Sequence, residues 1–218
     1  MAAGREGGAA GAATRSKRER LTPSVRRERL LDAAALIVEN EGTSAITMER
    51  IGEVAGSSRT LAYAHFRSRA ALLLSLFERE RAVYSELHRR RLDAATSFED
   101  RMRASISAYL DSIVERGVLF VRLMSEPSIE AEVEVIRLGG LRRSADYWTD
   151  LAVANGVDRD SAGVLVAMQL AAAEAVGRMV ARHPERRAVL EDEYLRFALA
   201  AARAARPAVV GGSPRSGA

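Results

Sequence analysis

The sequence predicts an all-α protein, and three observations carry that expectation. No proline occurs between Ser24 and Glu126, and the only later interior prolines are Pro127 and Pro184. Alanine, leucine, glutamate and arginine dominate this interior, and all four lose little conformational freedom on entering a helix. Leu30, Ala33, Ala34, Ile37 and Val38 recur at the three-and-four spacing of one helix face, not at the alternating period of a strand.

Taken in order, Thr22-Pro23 pairs a capping side chain with proline at the first helical position, so the first helix starts there. Gly42 ends it. Short helices are predicted over 47–54 and 58–66, followed by a long one over 69–94. Further helices are expected over 98–116, 118–125, 128–154, 158–182 and 185–206. Turn signals at Gly117, Pro127, Asn155-Gly156 and His183-Pro184 separate them. From Ile129 to Val135 apolar and acidic residues alternate as in a half-buried strand. Nothing else offers that strand a partner, and a lone strand cannot satisfy its backbone, so a helix is kept. Gly139-Gly140 is expected to kink or break it.

The chain has 218 residues, of which 48% are apolar and 28% charged, as in ordinary globular proteins. Cysteine is absent, which excludes disulfides, thiol nucleophiles, zinc fingers and iron–sulfur clusters. The three histidines, His65, His88 and His183, have no metal-ligand spacing, and neither GxGxxG nor a P-loop is present. No enzyme chemistry, metal or cofactor is expected. No uncharged run approaches the roughly 18–20 residues of a membrane span, and the N-terminus has no apolar block of signal type. A cytoplasmic protein without membrane association is the expectation. Glycine concentrates near both ends, so 1–21 and 207–218 read as disordered tails, the first a basic arm.

Residues 1–92 carry a net charge of +6 and residues 93–218 a net charge of −2. A polyanion partner is thus expected for the front half only. Within it, Thr47 can cap a short helix whose Met48, Ile51, Val54 and Ala55 face inward. Ala55-Gly56-Ser57 forms a tight turn, and Ser57 or Ser58 caps a second short helix ending near Phe66. Two short helices joined by a glycine turn describe a helix-turn-helix. Its second helix opens with Ser, Arg and Thr, which can hydrogen-bond base edges or phosphates.

The Thr-initiated helix, Ala-Gly-x-Ser, and then Tyr-x-His-Phe-x-Ser-Arg leading into a long helix resemble the TetR/AcrR family of transcriptional regulators. The motif resemblance covers about residues 26–77. It implies that Thr47 touches a phosphate and that Ser57, Ser58, Arg59 and Thr60 open the recognition helix toward bases. Tyr63 and His65 would lean on the backbone, and Arg69 would replace the usual phosphate-binding lysine. Phe66 would be core. Gly52 stands where alanine is usual and weakens its helix by up to ~1 kcal/mol; Ser57 and Ala62 replace larger apolar residues.

The resemblance further implies a basic arm over 1–21, a DNA-binding domain over 22–68, a regulatory and dimerisation bundle over 69–206 and a tail over 207–218. The implied function is a homodimeric repressor, released from a palindromic double-stranded DNA operator by a small, largely apolar effector. A helical interaction module without specific DNA binding and an all-α enzyme are the alternatives. Independently of the resemblance, Gly163, Ala167, Ala171-Ala172-Ala173, Ala175 and Gly177 permit close helix approach. With the final helix they suit a four-helix dimer interface. Candidate effector contacts are Met102, Ile106, Tyr109, Phe120 and Met124, with Tyr147, Trp148, Met168 and Gln169 beyond.

Overall fold

The computed structural model describes residues 22–205, so the arm expected over 1–21 and the tail expected over 207–218 lie outside them. The described residues form eight α-helices: α1 (Pro23–Glu41), α2 (Met48–Val54), α3 (Arg59–His65), α4 (Arg69–Asp93), α5 (Phe98–Met124), α6 (Glu130–Ala154), α7 (Arg159–Arg182) and α8 (Arg187–Ala204). Single 3-10 turns at Thr43–Ala45, Pro127–Ile129 and Pro184–Arg186 join some of them. No strand occurs among the described residues.

Helix starts follow local chemistry. Thr22, Thr47, Ser58, Ser68, Ser97 and Asp158 each accept a backbone N–H from the first turn of the helix they precede. Each satisfies a donor that the helix itself cannot. Gly42, at φ 91°, closes α1 by donating to the carbonyls of Ile37 and Val38.

Two expected breaks are absent. α5 runs unbroken through Gly117, and α6 runs through Gly139-Gly140. A glycine costs a helix about 1 kcal/mol, whereas one fully buried leucine contributes roughly 1.5–3 kcal/mol. Around Gly117, Leu110, Leu119 and Leu123 are all buried, so packing outweighs propensity there. The alternating segment is helical in its turn: Ile129 and Val133 are buried one turn apart, while Val135 is 71% exposed. The alternation coincides with the buried helix face at Ile129 and Val133 and fails at Ala131 and Val135, both exposed.

Two large cores, beside a small cluster of Ala152, Val157 and Ala162 where α6 meets α7, hold the described residues together. One gathers Leu30, Leu31, Ile37 and Val38 of α1, Ile51 of α2, Ala62 of α3 and Leu72, Leu73 and Leu76 of α4. The same cluster continues into Leu119 and Leu123 of α5 and Ile129 and Val133 at the α6 start. The core under the helix-turn-helix therefore does not end at residue 68. The second core joins Met102, Ile106 and Leu110 of α5 to Val180 of α7 and Leu190, Tyr194 and Leu195 of α8.

Candidate nucleic-acid interface

α2 and α3 are joined by Ala55-Gly56-Ser57, with Gly56 at φ 62°, a conformation that glycine takes without steric cost. The Ser57 N–H donates to the Gly52 carbonyl at 2.7 Å, which folds the turn back on α2. A Cβ on Gly52 would meet Ser58 C at 3.0 Å and Arg59 N at 3.1 Å, both backbone atoms. The glycine that looks like a weakness in the sequence lets α3 lie against α2.

Ala62 is fully buried and Phe66 is 3% exposed, so one face of α3 belongs to the core. Arg59, Thr60 and Tyr63 are all exposed on the same short helix. The Arg59 guanidinium lies over the Tyr63 ring at 5.6 Å, one turn along, a cation–π contact that holds the arginine in place on the surface. Ser58 and Thr47 are exposed; their hydroxyls accept from Leu61 N at 3.1 Å and Arg50 N at 3.0 Å. Each hydroxyl keeps its O–H free to donate. His65 is half-buried at the end of α3.

Two candidates are placed otherwise than expected. The Ser57 Oγ is buried, with no hydrogen-bond partner among the described residues, so it faces inward and not toward a base. Arg69 is fully engaged. Its Nε donates to Ile46 O at 3.2 Å and its Nη2 to Thr43 O at 2.7 Å. Its Nη1 and Nη2 grip both oxygens of Glu126 at 2.9 and 3.0 Å, and Nη1 also reaches Ser128 Oγ at 3.2 Å. Five contacts match the five N–H donors of a guanidinium, leaving none for a phosphate. Arg69 also holds the Glu126 carboxyl well below the ordinary glutamate range, against the upward push of burial; hydrogen bonds from Ser128 and Thr43 assist.

Arg27 lies over the Phe66 ring at 5.0 Å, linking α1 to the end of α3. Arg26, Arg29, Arg59 and Arg67 have no ion-pair partner among the described residues, whereas Arg50 is bound to Glu41 at 2.9 Å and Glu53 at 3.5 Å. Arg67 was outside the expected set. Its signal, a basic residue directly after the core Phe66, was present in the sequence.

The nine candidate effector residues do not converge on one cavity. Met102, Ile106, Tyr109 and Trp148 belong to the second core. Phe120 packs edge-on against Phe77, 5.9 Å between centroids, in the first. Met124 lines a groove of about 380 Å³ with Glu130, Ala131, Val133, Glu134 and Arg137. Tyr147 lies at the surface, accepting from Arg101 at 3.1 Å, and Met168 is 58% exposed. Gln169 donates through Nε2 to Ala198 O at 3.4 Å, but its buried Oε1 is unpartnered among the described residues. Around it burial pushes the Tyr109 and Tyr194 hydroxyls above the ordinary tyrosine range.

The family model for bacterial regulatory proteins of the tetR family matches residues 30–76, from the α1 core to Leu76 of α4. The HTH-type transcriptional activator FasR of Mycolicibacterium smegmatis is 31% identical over 122 residues, covering 53% of this chain and 55% of that protein. The HTH-type transcriptional regulator BetI of Rhizobium meliloti is 43% identical over 51 residues, 23% of this chain and 25% of that protein. The chain thus spans about half, or less, of the length of these curated relatives. A TetR-like transcriptional regulator from Rhodococcus sp. RHA1 superposes with a TM-score of 0.66 at 20% identity. That match covers 83% of this chain and 97% of the other, and it carries the fold.

Proposed function

Because the chain belongs to the TetR family of bacterial regulatory proteins, we propose that it binds operator DNA as a homodimeric repressor released by a small, largely apolar effector. The observation that carries DNA binding is the exposed face of α3. Arg59, Thr60 and Tyr63 are exposed on a helix that Ala62 and Phe66 lock into the core. On this reading Arg59 and Thr60 read base edges, while Ser58, Thr47, Tyr63 and His65 position the helix on the backbone. Residues 22–68 carry the reading surface, and residues 69–206 regulate and dimerise. The family is one of regulators and not of enzymes.

Dimerisation is read from α7. Gly163, Val164, Ala167, Met168, Ala171 and Ala175 are all exposed and fall on one stripe at helical spacing. α7 is long and apolar enough to cross a membrane by length and composition, yet only 17% of its most apolar window is buried. A second copy would cover that stripe together with Val189 and Phe197 of α8, 57% and 52% exposed. Two helices from each subunit then close around a two-fold axis.

For the effector, the support is the second core, beside which the Gln169 Oε1, unpartnered among the described residues, offers one polar anchor. Selection of bound duplexes from random DNA tests the reading. A palindrome with half-sites about one helical turn apart supports it. Binding of a single asymmetric half-site by monomer, or binding without sequence preference, overturns it. Reporter transcription from the selected site then decides repression against activation, the sign carried by the name FasR.

A further inference from the structure

We propose that Arg69 and Glu126 form a clamp through which the start of α6 sets the position of the helix-turn-helix, so that Arg69 acts in DNA reading as a positioning residue and not as a phosphate contact. The proposal rests on the DNA-binding reading above and departs from the phosphate role that the resemblance implies for Arg69.

Arg69 is the first residue of α4, four positions beyond the end of α3. Its side chain ties together two segments distant in sequence. On one side are the carbonyls of Thr43 and Ile46, in the loop that delivers α2. On the other is the Glu126 carboxylate, with Ser128 beside it, in the turn between α5 and α6. Glu126 is 6% exposed, and its Oε1 also accepts the Ser128 N–H at 3.2 Å and hydroxyl at 2.7 Å. A planar fork meeting a carboxylate through two parallel bonds fixes orientation as well as distance. Lysine carries the same charge but offers no such fork.

The apolar contacts run the same way. Ile129 and Val133, from the turn beyond Glu126 and the first turn of α6, are 1% and 3% exposed within the cluster that also holds Ile46, Ile51 and Ala62. The start of α6 is thus built into the core on which α2 and α3 rest. Displacing it must break the clamp or carry the 43–46 loop with it, because a packed interior does not deform continuously.

The test uses the full-length chain, the palindromic duplex it selects from random DNA, and a duplex of unrelated sequence. Fluorescence anisotropy is followed from 50 to 200 mM salt for the native chain, Arg69→Lys, Arg69→Gln, Glu126→Gln and the milder Ser128→Ala, each first checked for cooperative unfolding. The clamp predicts that Arg69→Lys and Glu126→Gln each weaken binding to the selected duplex about tenfold, with an unchanged salt slope, since no phosphate contact is lost. A phosphate contact predicts the reverse. Arg69→Lys would then bind like native, Arg69→Gln would lose about one unit of salt slope, and Glu126→Gln would bind as well as native or better. That pattern overturns the proposal.

Amide hydrogen exchange separates failure of the clamp from failure of the DNA reading, because it needs no DNA. Glu126→Gln should speed exchange of the Ala45 and Ile46 amides, which close the 3-10 turn onto Gly42 and Thr43. Should the native chain select no duplex, the DNA reading falls while the clamp is still judged by exchange. Native-like exchange in Glu126→Gln, Arg69→Lys and Ser128→Ala removes the clamp.

Discussion

Replacing Gly52 by alanine sets two physical effects of opposite sign against each other. In an exposed helix the change stabilises by about 1 kcal/mol, because alanine loses less backbone freedom than glycine. Here the new Cβ would lie 3.0 Å from Ser58 C, 3.1 Å from Arg59 N and 3.3 Å from Ser57 O. All three are backbone atoms at the start of α3, so no rotamer change relieves the contact. Overpacking of this kind costs about 1–3 kcal/mol, and the net expectation is a loss of roughly 0–2 kcal/mol once the propensity gain is subtracted. For a chain of this size each kcal/mol moves the midpoint by about 2–4 °C. Relief by displacement should also push α3 outward by a few tenths of an ångström. Binding to the selected palindrome should therefore weaken while the salt slope stays the same. Thermal unfolding and anisotropy titration on the same preparation measure both effects. A Gly52→Ala chain that is about 1 kcal/mol more stable and binds DNA like native would refute the close approach of α2 and α3.

Three further outcomes follow from named contacts. Arg59→Ala should relax preference at one base position in each half-site by about 1–3 kcal/mol, and a uniform loss over all sequences would make it a backbone contact instead. Glu126 is held below the ordinary glutamate range by Arg69, so its charged form stabilises the fold. That contribution should be complete above the unfolded value of about 4.3 and fade as pH falls below it toward the lower folded value. Urea unfolding of native and Glu126→Gln chains from pH 7 to 3 should show a stability gap that closes only below about pH 4.3; a gap that closes near neutrality would contradict the ion pair. Met168→Arg places a charge on the exposed α7 stripe and should shift sedimentation from dimer toward monomer with little change in subunit unfolding, while an unchanged dimer would move the interface elsewhere.

Much of this protein was legible from neighbouring residues alone. Thr22-Pro23 and Gly42 bound α1, and Thr47 and Ser58 cap α2 and α3, because capping and left-handed turns are settled within three or four residues. The exposure of Arg59, Thr60 and Tyr63 beside the buried Ala62 and Phe66 was legible for the same reason. Gly117, Gly139 and Gly140 misled because propensity is a term of about 1 kcal/mol that packing exceeds. The candidate effector residues had suitable chemistry, but residues on the same helices divide between two cores and the surface, and only helix packing decides that division.

Arg69 and Gly52 mark the remaining boundary. The sequence by itself determined that an arginine opens α4 and that a glycine sits inside α2. Tertiary structure alone decided that the arginine meets a carboxylate 57 residues away and that the glycine faces the backbone of the next helix. Caps, turns and helix faces draw on contacts within a turn or two, which a linear pattern records. The partner of a guanidinium, or the space beside an absent Cβ, is set by elements that come together only when the chain buries its apolar surface.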